Sequence, residues 1–193
     1  NPINIKKIDR EIRLKKNIEI FSKIKSKFII AIGRLTYQKN FDLLIHAFNE
    51  IYKDTKLKLI IVGKGEEKTK LEKIIKNLDL SDHVSLIGYI DSPYYLISKA
   101  EMLILSSRYE GFGNVIPEAL ACKTNIISSN CDFGPSEILE NGKWGKLFPV
   151  GDKKKLKKLI LKYHYNPPKL NLRKRARDFD IEKISRKYFE LLN

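Results

Sequence analysis

Ser106-Ser107-Arg108-Tyr109-Glu110-Gly111-Phe112-Gly113-Asn114-Val115-Ile116-Pro117-Glu118-Ala119-Leu120 joins a strand end, a glycine-bearing turn and a helix start. It follows Met102 to Leu105, a short apolar run suited to a buried strand, and leads into residues of helical character. The first turn of a helix leaves about four N–H groups without intrahelical partners and carries roughly half a positive charge. Gly111 and Gly113 remove the Cβ atoms that would hold an anion away from that backbone, and Pro117 fits because it falls in the first turn. Helical side chains lean toward the helix N-terminus, so Glu118 reaches back over the turn, with Glu110 on its other side. A carboxylate repels phosphate but accepts hydroxyls, as on a ribose. The stretch therefore reads as a nucleotide or nucleotide-sugar site with two acidic hydroxyl readers. A plain strand-to-helix corner with two solvated glutamates is the competing reading, because Ile116 stands where the dinucleotide fingerprint has its third glycine.

Upstream, the chain alternates apolar runs with helical periodicity. Phe28 to Ile32 is a run suited to a strand buried on both faces and ends at Gly33. Apolar positions from Phe41 to Tyr52 follow helical spacing; Leu57 to Val62 is a second strand, Glu67 to Leu78 a helix and Val84 to Ile87 a third strand, with Ser92-Pro93 as N-cap and first helical position. Downstream come a strand at Asn125 to Ser128, a short helix opened by Gly134-Pro135-Ser136-Glu137 and a closing strand at Gly145 to Phe148. After Gly151-Asp152 the strands stop, and basic helices at Leu156 to Tyr165 and about Ile181 to Leu192 follow. Such alternation predicts an α/β fold with a parallel sheet covered by helices on both faces. Ligands of these sheets sit beyond the carboxyl ends of the strands, where Gly33, Gly63, Gly88 and Glu110 all fall.

Two cations follow the first strand, Arg34 and Lys39. Arginine grips phosphate with two parallel hydrogen bonds and lysine acts as a movable point charge, a combination suited to a diphosphate. The chain carries a net charge of +15, and its distribution matters. Residues 1–27 hold nine basic and three acidic side chains, residues 28–151 hold fifteen of each, and residues 152–193 hold fourteen basic and five acidic. The neutral centre argues against nucleic acid as a partner, while the basic flanks suit either an anionic membrane surface or solvated lysine-rich helices. The apolar runs are too short to span a bilayer and no charged-then-apolar leader opens the chain, so a cytoplasmic protein is expected. Cys122 and Cys131 lack metal-ligand spacing and read as small buried hydrophobes. Asp178-Phe179-Asp180 spells an Asp-x-Asp string, but Asp180 reads as an N-cap for the last helix; the three histidines are scattered, and no metal or other cofactor is expected.

Taken together, Glu110, seven intervening residues and Glu118, with Gly-Phe-Gly-Asn-Val after the first and Ala-Leu-Ala-Cys after the second, closely resemble the donor-site motif of retaining GT-B glycosyltransferases of family 4. Arg34 and Lys39 match that family's pyrophosphate-binding Arg and Lys, and Gly88-Tyr89-Ile90 resembles the loop whose backbone recognises the nucleobase. Gly63-Lys64-Gly65-Glu66 matches a recurrent turn of the family and is read as structural. The resemblance implies one Rossmann-like half of a GT-B enzyme: a basic interdomain linker and leading helix at 1–27, a donor-binding domain at 28–151 and basic C-terminal helices at 152–193. It also implies that a separate N-terminal domain, absent here, holds a glycan or lipid-linked acceptor.

By the same resemblance, Glu118 binds the ribose and Glu110 orients the donor sugar. Arg34, Lys39 and the amides near Gly113, Asn114 and Val115 stabilise the departing diphosphate, with Gly33, Gly111 and Phe112 completing the site. The wording of the motifs is most similar to bacterial polysaccharide or lipid-linked oligosaccharide enzymes, which implies a UDP-sugar donor and a peripheral position at the inner face of the membrane. Two alternatives stay open: a nucleotide-sugar epimerase of the same fold, and a non-catalytic nucleotide- or anion-binding module.

Overall fold

The computed structural model describes residues 1–24 and 26–192. In chain order the helices and strands are α1 (Ile5–Arg13), α2 (Ile18–Ser22), β1 (Phe28–Ile32), α3 (Phe41–Asn49), α4 (Tyr52–Thr55), β2 (Lys58–Val62), α5 (Lys68–Asn77), β3 (Val84–Leu86), α6 (Tyr94–Lys99) and β4 (Met102–Leu105). They continue with α7 (Val115–Ala121), β5 (Asn125–Ser129), α8 (Pro135–Ile138), β6 (Lys146–Phe148), α9 (Lys153–Tyr165), α10 (Leu172–Ala176) and α11 (Ile181–Leu192). Short 3₁₀ turns lie at Tyr37–Lys39 and Arg177–Phe179.

All six strands are parallel, in the order β3-β2-β1-β4-β5-β6. The chain winds outward from β1 in one direction and then from β4 in the other, so the order reverses between these two neighbours. At that reversal the loops leaving adjacent strands diverge to opposite faces and open a crevice beyond the strands' carboxyl ends.

Strand side chains alternate between two cores. Phe28, Ile30, Ile60, Val62, Leu103, Leu105 and Ile126 join the cluster under α1, α6, α7 and α10. Ile29, Ala31, Leu59, Ile61, Met102, Ile104 and Ile127 join the cluster under α3, α5 and α9. Burial on both faces is why these strands read as continuous apolar runs rather than as alternating ones.

The basic N-terminal segment docks on the body. Asn4 caps α1 by accepting the Lys7 N–H at 2.8 Å, and Ile3, Ile5 and Ile8 enter the first core. Ile3 also forms a parallel bridge with Asp180, so the two flanks meet.

Several local expectations need correction. The apolar period from Phe41 to Tyr52 does not form one helix: α3 ends at Asn49, Ile51 leaves the helical region at φ −130° and ψ −15° while remaining buried, and α4 follows separately. Core burial thus keeps helical spacing across a backbone break. Pro93, not Ser92, occupies the capping position of α6, and the Ser92 hydroxyl is buried without a partner among the described residues. Helix α9 begins three residues earlier than its apolar pattern, because Asp152 accepts the Lys155 N–H at 2.8 Å and caps a first turn made of lysines. Asp180, by contrast, does stand at the N-cap position of α11: its backbone is extended at φ −66° and ψ 133°, and its carbonyl accepts the Ile184 N–H at 2.9 Å.

Candidate functional site

The crevice at the β1/β4 reversal contains a cavity of about 600 Å³. It is lined by Asn1, Ile32, Gly33, Arg34, Gln38, Lys39, the run Glu110 to Val115, and Glu118. Four bonds fasten its two walls. The Arg108 N–H donates to the Gln38 carbonyl at 2.8 Å, Gln38 Nε2 to the Tyr109 carbonyl at 2.9 Å, Arg108 Nε to the Tyr37 carbonyl at 3.1 Å and Ser106 Oγ to the Lys39 carbonyl at 2.8 Å. The 3₁₀ turn after β1 and the loop after β4 therefore form one unit.

Lys39 and Glu110 meet inside that unit. Lys39 Nζ lies 2.6 Å from Glu110 Oε1, and both side chains are largely buried. Ser107 Oγ donates to the same oxygen at 2.5 Å, while the Ser107 carbonyl accepts from Ser129 Oγ at 2.7 Å. Arg34 differs. It is exposed on the cavity wall, and its guanidinium has no partner among the described residues.

The turn into α7 adopts a shape that needs glycine at one position and space at another. Gly113 has φ +85°, a left-handed conformation that costs other residues strain. The N–H groups of Gly113, Asn114 and Val115 find no acceptor among the described residues, and the Asn114 side chain is turned away to accept from Asn1 Nδ2 at 2.9 Å. Nothing lies within 4 Å of a Cβ built on Gly111, whereas one on Gly134, at φ +87°, would sit 1.9 Å from the Phe112 carbonyl oxygen. Gly111→Ala should therefore keep its melting temperature while placing a methyl in the cavity. Gly134→Ala should lose more than about 1 kcal/mol of stability, measurable by denaturant titration.

Glu118 stands at the far wall. Burial pushes its carboxyl up to about 7, against a hydrogen bond from the Tyr94 hydroxyl at 3.4 Å and the charge of Lys7, which pull it down. The Tyr94 hydroxyl is itself pushed up, first by burial and then by Glu118.

An apolar slot of about 310 Å³ adjoins this cavity through Ile32, Gly33 and Arg34 and continues along Val62, Gly63, Lys64, Tyr89 and Ile90. Gly88 lines neither space; it borders a third cavity, and its carbonyl accepts the Gly63 N–H at 2.8 Å. The side chains of Phe112, Val115 and Ile90 face elsewhere, and for Val115 and Ile90 the expected contact is the backbone. Phe112 packs edge-on against Phe179 at 6.0 Å, and Val115 and Ile90 belong to the first core, so these residues offer the cavities mainly their backbone.

Ser107, Ser129, Tyr94, Asn1 and Gln38 also take part in this geometry, and sequence patterns did not single them out. The Ser-x-x-Glu spacing is the local signal that matches the contact between Ser107 and Glu110. Asp178 of the Asp-x-Asp string is engaged by Arg175 at 3.0 Å and Lys183 at 2.6 Å. Among the described residues no group of three or more acidic, His or Cys side chains converges as a metal site, and no helix is long and apolar enough to cross a membrane.

Residues 13–179 match the family model described as glycosyl transferases group 1. A curated relative from Campylobacter jejuni, N-acetylgalactosamine-N,N'-diacetylbacillosaminyl-diphospho-undecaprenol 4-alpha-N-acetylgalactosaminyltransferase, is 35% identical over 171 residues, covering 84% of this chain and 46% of the relative. The chain thus spans about half the length of that protein. Among solved structures, the pneumococcal O-GlcNAc transferase in complex with UDP and GlcNAc superposes with a TM-score of 0.77 at 26% identity, over 86% of this chain and 35% of that one. Anabaena HepE in complex with UDP has a TM-score of 0.86 at 23% identity, over 100% of this chain and 56% of that one, a likeness of fold.

Proposed function

The chain belongs to the glycosyl transferases group 1 family, and from that membership we propose that it is the donor-binding half of a retaining GT-B glycosyltransferase of family 4 that uses a UDP-sugar. The observation that carries this reading is the convergence on one cavity of Lys39, the unpartnered Arg34 guanidinium and three free amides, with a hydroxyl-accepting glutamate on either side. Cations and amides aimed at one place suit a diphosphate, and the adjoining apolar slot suits a flat base between Gly33 and Tyr89-Ile90.

In this reading the base enters the slot and the ribose hydroxyls donate to Glu118. The diphosphate crosses to Arg34, Lys39 and the amides of Gly113, Asn114 and Val115, past Gly111 and Phe112, and the sugar meets Glu110. As the glycosidic bond breaks, negative charge grows on the leaving diphosphate. Donors already aimed there stabilise it without reorganising, which is worth several kcal/mol. None of these steps calls on a metal or another cofactor. The acceptor, a glycan or a lipid-linked glycan, is held outside these 193 residues, a placement supported by the length of the Campylobacter relative and its undecaprenol-linked substrate name.

Calorimetry on this chain with UDP, GDP and ADP tests the reading. UDP should bind most tightly, and binding by none of the three overturns it. We further place the full-length protein in the cytoplasm at the inner face of the membrane, held by the basic flanks. Sedimentation with anionic and neutral vesicles should show preference for the anionic ones, and equal partition rules that placement out.

A further inference from the structure

We propose that Ser107 is a positioning residue that pins one oxygen of Glu110 so that the other faces the donor sugar in a single orientation, and that this sets which sugar epimer the site accepts. The inference rests on the donor-site reading above.

A carboxylate has two oxygens and about four acceptor positions. In Glu110 both donors converge on Oε1: Ser107 Oγ at 2.5 Å and Lys39 Nζ at 2.6 Å. No donor among the described residues reaches Oε2, which keeps contact with the cavity that Glu110 lines. One end of the carboxylate is anchored and the other presented.

The two anchors are not equivalent. Lysine is a mobile point charge on a four-carbon stem, and a diphosphate entering the cavity competes for it. Once Lys39 turns to phosphate, Ser107 is the remaining tether on Glu110. Ser107 suits that role, because it is fully buried and short. Its carbonyl is held in turn by Ser129 Oγ from the neighbouring strand at 2.7 Å. A site that recognises a hydroxyl rejects the epimer that lacks it in place only if its acceptor cannot swing to follow.

The test uses calorimetry on this chain with UDP and two epimer pairs, UDP-glucose with UDP-galactose and UDP-N-acetylglucosamine with UDP-N-acetylgalactosamine. The wild type should prefer one member of a pair by about tenfold or more. Ser107→Ala should bring that ratio to within about twofold of one while UDP alone binds as before, because no diphosphate contact is lost. Ser129→Ala, which releases the Ser107 carbonyl and leaves the Ser107 hydroxyl on Glu110, should lower the ratio less, and it keeps the test open if Ser107→Ala does not fold. Adding Ser107→Ala to Glu110→Gln should change the ratio no further.

Retained discrimination in Ser107→Ala, or in Ser129→Ala where only that variant folds, overturns the inference. Equal weakening of UDP and all four sugars overturns it too, since that is the mark of a general structural loss. A wild type that binds UDP without telling epimers apart likewise overturns it. Absence of UDP binding in the wild type is a different failure, that of the donor-site reading itself.

Discussion

Lys39→Ala should slow sugar transfer by the full-length enzyme about 10²–10³-fold, the loss seen when one preorganised donor to a developing oxyanion is removed. Lys39 is central because its ammonium lies partly buried against Glu110 at the cavity, held by a turn that four hydrogen bonds fasten to the opposite loop. The substitution also strands Glu110, whose carboxylate would keep Ser107 as its one remaining donor. Breaking one partner out of a buried pair typically costs about 3 kcal/mol, so the melting temperature should fall as well. The two losses separate in the pair Lys39→Ala and Lys39→Ala/Glu110→Gln. Making residue 110 neutral should recover most of the stability and none of the transfer rate. Recovery of both would show that Lys39 serves only to neutralise Glu110.

The second large effect is on pH. Burial raises Glu118 to about 7, above the ordinary 4.5 of a glutamate. A raised folded-state value means that the group's contribution to stability is present below about pH 4.5 and lost as pH rises through 7. The unliganded protein should therefore lose stability across that window, and Glu118→Gln should flatten the profile. Ligand affinity runs the other way. If ribose hydroxyls donate to the ionised carboxylate, as proposed, binding draws Glu118 downward and releases a proton near neutrality. Affinity for UDP-glucose, whose diphosphate has no proton to lose in this range, should rise up to tenfold per pH unit from pH 5.5 and level off above 7. Calorimetry in buffers of different ionisation enthalpy reads the released proton directly. A flat profile between pH 5.5 and 8 would remove Glu118 from ribose binding.

Much of this architecture was legible before any coordinates. The runs Phe28 to Ile32, Leu57 to Val62 and Met102 to Leu105 were readable as strands because burial on both faces leaves them short and almost continuously apolar, with Lys58 the one exception. The loops bearing Arg34, Lys39 and Glu110 and the helix start bearing Glu118 were readable as neighbours of one crevice because they follow strand ends. The contacts between those loops were not readable, since Lys39 and Glu110 are brought together by the adjacency of β1 and β4, which local patterns do not encode. Phe112 illustrates the same limit. Its place in the motif suggests a ligand contact, and its ring goes to Phe179, a residue of the C-terminal flank. The split between α3 and α4 escaped for the opposite reason, because burial preserved the helical spacing while the backbone broke at Ile51.

The bridge between Ile3 and Asp180 joins segments from opposite ends of the described chain. Contacts of such long sequence separation form late in folding, since loop closure grows more costly with chain length and domains emerge from the ribosome from their N-terminal side. During synthesis the isoleucines of α1 can meet α6 and α7 early, but their backbone anchor arrives only when residue 180 does. The beginning of this chain is thus among the last parts to be locked. Hydrogen exchange during refolding should find the Ile3 amide, which bonds the Phe179 carbonyl at 2.8 Å, protected after the sheet.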